Sequence, residues 1–544
     1  MSDSARSLLP LPLAPFERFM LADDRPAFPM AFLIEAHFTG RLDRERLERA
    51  LTRALAVHPL LAARVERGAG SGPQWIAAPA SAPRVAWDEA AADAPLPLAA
   101  GEAIDLTSDT GLRVWARQGG DTSRLSLQFH HACCDGVGGL GFLGDLLAHY
   151  AALDERQSES DTATEIESTS GPPPGTTHWL LRRALVAAAP PTAMVDRAQS
   201  SAAGNATLST STPTSTSTPT STAPHAPAAG AVHDASPPAS MPAGKSTGMP
   251  TGMPASANGE AKPATAGTLA ALRNVGREAA KVLLRWPVPL AAPRPSARSD
   301  RRLAPFPGLS TVTLDAGDYQ ALRQAARRHR ATLNDVLVRD LFLTLAAWNR
   351  QFAPRRPGRW LRILIPTNLR PDADTLRPAA NVMGYAFLTR RLAESCRGAA
   401  FLAEIAAETE AIRRWRLGRT FLAAIAAADR LPGALPLALS GRRCFATAVL
   451  TNLSDPTRCF ATPLPREADR LRVGDLRLER FTGAPPLRPA TRAGFSINEY
   501  GGELTVCLRC DPYCFAPDDS QQLLAHYADV LRDTAAAARR GDEV

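Results

Sequence analysis

Residues Leu125–Tyr150 read LSLQFHHACCDGVGGLGFLGDLLAHY, and seven of them, His130 to Gly136, hold two histidines, two cysteines, an aspartate and a glycine. The alternation in SRLSLQFHH reads as a strand, and the glycine-leucine run after Gly136 reads as a helix. The group therefore sits at a strand-to-helix turn, where fixed elements position functional loops. Adjacent histidines on a strand point to opposite faces, so His130 and His131 cannot both face one site. Paired metal ligands would take i, i+2 on a strand or i, i+4 on a helix, so the pattern disfavours a metal. A nucleophile at Cys133 or Cys134 would need a base aimed at it. Two readings stay open from the residues alone. One is a single imidazole acting as general base, its geometry fixed by Asp135. The other is a core histidine pair satisfied by backbone carbonyls.

Working outward, LRVWARQ and the motif strand flank a GGDTS turn, and AFLIEAHFTGRL (31–42) reads as another strand. DRERLERALTRALAVHPLLAARVE follows with a helical period: Asp43 is the N-cap, and Leu47, Leu51, Ala54 and Leu55 form the apolar stripe. The later part of the chain repeats this style. STVTLDA, WLRILIPTNL, NVMGYAFLTRR, FATAVLTNL, GFSINEY and GELTVCLRC read as strands. DYQALRQAARRHR, TLNDVLVRDLFLTLAAWNRQF and the segment from Pro517 read as helices. Two regions that each mix strands and helices imply two packed α/β units.

Between them, 154–266 is built of Ser, Thr, Pro, Ala and Gly, including STSTPTSTSTPTST. Such a stretch buries too little apolar surface to offset its ordering entropy and reads as a disordered linker. The expected organisation is 1–153, linker 154–266, amphipathic helix and connector 267–299, and 300–544. In the connector, Leu269, Leu272, Val275, Ala279, Val282 and Trp286 share a face opposite Arg273, Arg277, Lys281 and Arg285. Docking of this helix on the folded parts is favoured, because Gly276 weakens a free-standing helix. The second reading is peripheral contact with anionic lipid through 268–286.

Sixty-two Lys and Arg against 54 Asp and Glu leave +8 over 544 residues, with arginines scattered over predicted helix faces. That reads as a solvated surface, not a nucleic-acid site. The eight cysteines show no disulfide framework, and Cys507, Cys510 and Cys514 lack the partners of a zinc site. SLLPLPLAPF is broken by prolines and does not read as a signal peptide. No apolar run approaches the ~20 residues of a spanning helix. The expectation is a cytoplasmic protein without bound cofactor or metal, with contact at the inner membrane face as the variant.

HHACCDG matches the HHxxxDG signature, and the chain resembles the CoA-dependent acyltransferase superfamily. That superfamily includes chloramphenicol acetyltransferase, condensation domains of nonribosomal peptide synthetases, and bacterial wax ester synthase/diacylglycerol acyltransferases. LPLAPFERFMLADDRPAFPMAF is similar to the opening segment of the wax ester synthase branch, and GRLDRERLERALTRALAVHPLLAARV to the first helix and its ending. TLNDVLVRDLFLTLAAW, with Asn334 and Asp335, resembles that branch's Asn-Asp helix. ILIPTNLRP resembles the strand before an arginine loop, here Arg370, and NVMGY carries Asn381 ahead of Gly384. TNLSDP (451–456) lies where the branch carries Ser-Asn-Val-Pro-Gly-Pro and matches at Asn452 and Pro456.

The resemblance implies an α/β fold of two chloramphenicol acetyltransferase-like subdomains, a pseudo-dimer with an interfacial active-site tunnel, here joined by a long disordered linker. It implies His131 as the general base, with His130 packed inward, Asp135 a brace paired with an arginine, and Gly136 allowing close approach. Asn452 and Ser454 would line the channel. The implied reaction is O-acyl transfer from acyl-CoA, or from a carrier-protein phosphopantetheine thioester, onto a hydroxyl acceptor by direct attack. The alternatives are a stand-alone condensation-type enzyme forming an amide from carrier-bound substrates, and a catalytically silent binding module. Hydrolase chemistry is disfavoured, because the one GxSxG string, GKSTG at 244–248, falls in the low-complexity stretch and not at the strand-to-helix turn of a nucleophile elbow.

Overall fold

A computed structural model describes residues 9–68, 72–96, 102–159, 276, 280, 284–293, 306–354, 360–370, 378–391, 398–441 and 443–542. Its first part runs β1 (Leu11–Pro12), α1 (Pro15–Asp23), β2 (Ala31–Thr39), α2 (Arg44–Val57), β3 (Ala63–Gly68), β4 (Gly72–Ala77), β5 (Val85–Asp88), β6 (Leu112–Gly119), β7 (Thr122–His130) and α3 (Gly136–Glu159). The Asp43 side chain caps α2, accepting from the Arg46 N–H at 2.7 Å, and Leu47, Ala50, Leu51 and Ala54 bury the stripe. Gly120 at φ +61 turns the β6–β7 hairpin. Helix α3 continues to Glu159, a few residues into the segment expected as linker from 154. The rest of that linker, and most of the helix expected over 267–299, lie outside the described residues.

The second part comprises β8 (Leu309–Leu314), α4 (Ala316–Arg328), α5 (Leu333–Phe352), β9 (Trp360–Asn368), β10 (Met383–Arg391), α6 (Ala399–Arg414), α7 (Gly418–Asp429), α8 (Ala434–Leu439), β11 (Ala448–Asn452), β12 (Arg466–Glu467), β13 (Arg470–Val473), β14 (Leu476–Ala484), β15 (Ala493–Tyr500), β16 (Glu503–Cys510) and α9 (Pro517–Arg540). Its six-stranded sheet has the order β10-β9-β11-β15-β16-β8. Leu341, Phe342, Trp348, Phe495 and Tyr527 lie in the core beneath the helices. A reciprocal cap starts α5: Asp335 Oδ2 accepts from the Thr332 N–H at 2.7 Å. The connector 284–293 is tied to this unit, with Trp348 Nε1 donating to the Ala291 carbonyl at 2.9 Å.

The seven-stranded sheet has the order β12-β13-β14-β2-β7-β6-β5, so three strands of the late chain complete the first sheet. β14 runs antiparallel to β2 from Arg477 opposite Thr39 to Ala484 opposite Leu33. A boundary that assigns all of 300–544 to one unit therefore does not follow the sheets. The exchange has a physical reason: it pairs the β2 backbone edge that would otherwise stay open. A second tie runs through α3. A Cβ at Gly144 would fall 2.6 Å from the Phe460 ring, and one at Gly138 would fall 3.2 Å from the Ala379–Ala380 backbone. These glycines let the late chain lie directly on the helix.

The crossover also creates an acid-sensitive point. His37 of β2 meets Thr482 of β14 at 2.9 Å, and burial, helped by Arg480 and Arg124, pushes its pKa down to about 3. Nearby Glu35 is already engaged by Ser126 at 2.7 Å and Thr482 at 2.9 Å. As pH falls below 6.5 the unfolded chain takes up this proton, while the folded chain does so only near pH 3. Stability is therefore lost through that window, by roughly 5 kcal/mol at most. Denaturant melts of wild type and His37→Gln from pH 7 to pH 4 are expected to diverge, the variant losing less. Parallel curves would exclude this origin.

Candidate active site

The motif leaves β7 at His130 and is held on both sides by backbone. The His131 N–H donates to the Met30 carbonyl at 2.7 Å, and the His131 carbonyl accepts from Asn381 Nδ2 at 2.7 Å. Asp135 is buried and ties three pieces of chain together. Its Oδ2 accepts from Arg370 Nη1 at 2.7 Å and from the Val382 N–H at 2.8 Å. Its Oδ1 accepts from the Gly138 N–H at 2.9 Å in the first turn of α3. Arg370 Nη2 donates to the Ala380 carbonyl at 2.7 Å. Segment 379–382 and the motif are thus one hydrogen-bonded unit built from distant parts of the chain.

The His131 ring lines a cavity of about 710 Å³, including its mouth, between the two sheets. β2 and its approach contribute Met30, Phe32 and Ile34, and the facing sheet contributes Leu364, Met383 and Val449. Other than His131, the polar side chains at the wall are Tyr385, Thr451, Ser496 and Arg488. Arg488 is paired with Asp23, Nη2 to Oδ1 at 2.9 Å, so its charge is compensated. The Phe32 ring centroid stands 4.9 Å from that of His131. Burial lowers the His131 pKa below 6.5, against an opposite pull from the Asp135 carboxylate. Its Nδ1 is buried and makes no hydrogen bond, although the carbonyls of His131 and Cys134 lie near enough to favour the charged ring.

The other expected site residues divide. His130 is buried away from the cavity: its Nδ1 accepts from the Ala132 N–H at 3.1 Å, and its Nε2 stands 3.6 Å from Asp24. Gly136 lines the cavity, where an added Cβ would meet Leu453 at an ordinary 3.6 Å. Asn452 and Ser454 are not among the residues lining this cavity. Thr451 and Leu453 hold those positions. The cause is strand alternation at the end of β11, with Asn452 turning to Asn334 at 3.3 Å and accepting the Ser454 N–H at 2.9 Å. Cys133 donates to the His130 carbonyl at 2.9 Å, and burial raises the Cys134 thiol well above its ordinary range. Buried protonated thiols of this kind are packing groups. Among the described residues, no cluster of three His, Cys, Asp or Glu is placed to hold a metal.

His58 escaped the sequence reading. It is buried, its Nδ1 accepts from the Ala379 N–H at 2.8 Å, and its Nε2 lies 2.9 Å from Asp145 Oδ2. Because Nδ1 accepts, Nε2 carries the proton toward Asp145. The pair thus anchors the segment that holds Asp135. The only signal was its place in HPLL, directly after α2.

No family model and no curated protein matches the sequence. Solved structures do match over nearly the whole chain. The first condensation domain of the CDA synthetase superposes with a TM-score of 0.56 at 14% identity, over 98% of this chain and 96% of that one. A mutant starter condensation domain of rhizomide synthetase, in complex with C8-CoA, gives 0.54 at 14% identity over 97% and 95%. Polyketide synthase associated protein 5 from Mycobacterium tuberculosis gives 0.51 at 16% identity over 96% and 97%. The chain has the condensation-domain fold, a mixed α/β pseudo-dimer of two sheet-rich halves.

Proposed function

We propose that the protein is an acyltransferase in which an acceptor hydroxyl attacks a thioester carbonyl directly. His131 takes the hydroxyl proton as the C–O bond forms. The tetrahedral intermediate then collapses with cleavage of the C–S bond, and the imidazolium returns the proton to the leaving thiolate. With Nδ1 enclosed by protein, Nε2 is the nitrogen left to perform both transfers. The carrying observation is the placement of one neutral, backbone-pinned imidazole on the wall of an otherwise largely apolar cavity between the sheets. An apolar wall suits an acyl chain, and a structural neighbour in complex with C8-CoA supports a CoA thioester as donor.

The test follows free thiol and product mass with a panel of acyl-CoAs and phosphopantetheine thioesters against alcohols and amines. Acceptor-dependent thiol release with an ester product is the expected result. An amide product would point to condensation-type chemistry. Absence of acceptor-dependent release across the panel would leave a binding module.

A further inference from the structure

Four large apolar side chains stand well exposed among the described residues: Leu284 at 79%, Trp286 at 52%, Leu431 at 63% and Leu437 at 77%. They belong to two chain segments that meet, since the Arg443 guanidinium lies 5.6 Å from the Trp286 ring centroid. From Leu431 to Gly441 the sequence LPGALPLALSG carries no charge. Leu435 and Leu439 turn inward and α8 packs on α1, which leaves Pro436, Leu437 and Ala438 facing outward. Such a tip on a folded surface marks an interaction site.

Its surroundings select the partner. Residues 413–443 hold seven arginines, at 413, 414, 416, 419, 430, 442 and 443, against the single acid Asp429. Arg419 is buried and Arg413 is paired with Glu410 at 2.9 Å, while Arg414, Arg416, Arg430 and Arg443 stand exposed. Asp429 is itself held by Arg18 Nε at 2.9 Å. Arg430 and Arg443 are exposed and flank the uncharged run on its two sides. Leucines projecting between arginines fit a bilayer interface, where the apolar tip enters the acyl boundary and guanidinium groups meet phosphates. A protein partner would have to supply a shaped pocket for a leucine on a six-residue helix, whereas lipid needs no such complement.

The patch also adjoins the cavity. Arg488, on the cavity wall, lies 4.3 Å from the Phe445 ring, two residues beyond Arg443. Tyr385, also on that wall, stands 5.1 Å from Phe421 of α7. No described helix is long and apolar enough to cross a membrane, so the contact is with a surface.

We propose that the face formed by Leu284, Trp286, 430–441 and Arg443 docks on an anionic lipid bilayer. Resting on the acyl-transfer reading, this contact would hold the cavity beside apolar substrates dissolved in the membrane. The experiment is flotation of the full-length protein with phosphatidylcholine vesicles, with and without phosphatidylglycerol. Binding is expected only with phosphatidylglycerol and is expected to weaken in high salt. The Leu431→Ser/Leu437→Ser protein should bind about tenfold or more weakly while melting like wild type, because both side chains are exposed. His131→Ala should float like wild type, which separates this proposal from the chemistry. Equal flotation of the double variant, equal binding to pure phosphatidylcholine, or no flotation overturns the proposal. So does a wild-type dimer that the double variant dissociates, which would make the face a contact between copies.

Discussion

His131→Ala is expected to reduce acceptor-dependent thiol release by about 10²–10⁴-fold, the usual contribution of a positioned general base. The protein should remain folded, because the contacts that pin this residue, to Met30 and Asn381, run through its main chain. What disappears is the imidazole on the cavity wall and its contact with Phe32. The wild-type pH profile checks the same group. A base works unprotonated, and burial holds this pKa below 6.5, so the rate should stay level as pH falls to 6.5 and drop only below it. An acid limb centred above pH 6.5, or a variant that keeps wild-type turnover, would refute the assignment.

The second large effect belongs to Arg370. Replacing it with alanine leaves Asp135, 2% exposed, without the cation that lies 2.7 Å away. Breaking a buried pair from one side costs about 3–5 kcal/mol, because the remaining charge stays desolvated. Denaturant melts should show that loss. The Asp135→Asn/Arg370→Met protein should recover much of it, since no charge is then stranded. Stability returning without turnover would identify the pair as a positioning device, because segment 379–382 and the motif loop would no longer share the same hydrogen bonds. A loss under about 1 kcal/mol for the single variant would show that the pair is not coupled to the fold.

Much of this centre was legible because its signals are local. The alternation of LSLQFHH, the turn after it and the glycine-leucine helix place His131 at a strand end without further information. The period-2 and period-3.6 patterns locate β2, α2, α5 and β16 for the same reason. What was lost is non-local. ADRLRVGDLRLERFTGA alternates like a strand, but nothing within it says that it will cross to pair with β2, more than 400 residues earlier in the chain. Which of Thr451, Asn452, Leu453 and Ser454 line this cavity is a one-residue matter of facing at the end of β11. His58 was hidden because its partners, Asp145 and Ala379, lie far away in sequence.

The strand exchange sets an order of events for synthesis. When residue 159 leaves the ribosome, β2 still has one bare edge, and its partner will not exist until residue 484 has been made. The nascent amino-terminal half must therefore wait, with a hydrophobic strand exposed to other chains, through most of translation. Contacts this far apart in sequence make for slow assembly. The cost of closing so wide a loop, however, rises only with the logarithm of its length, so lengthening the middle of the chain burdens the equilibrium little. The same arrangement makes the first half dependent on the second: residues up to 159 cannot be excised with a complete sheet, and the site at His131 exists only once the last quarter of the protein has threaded home.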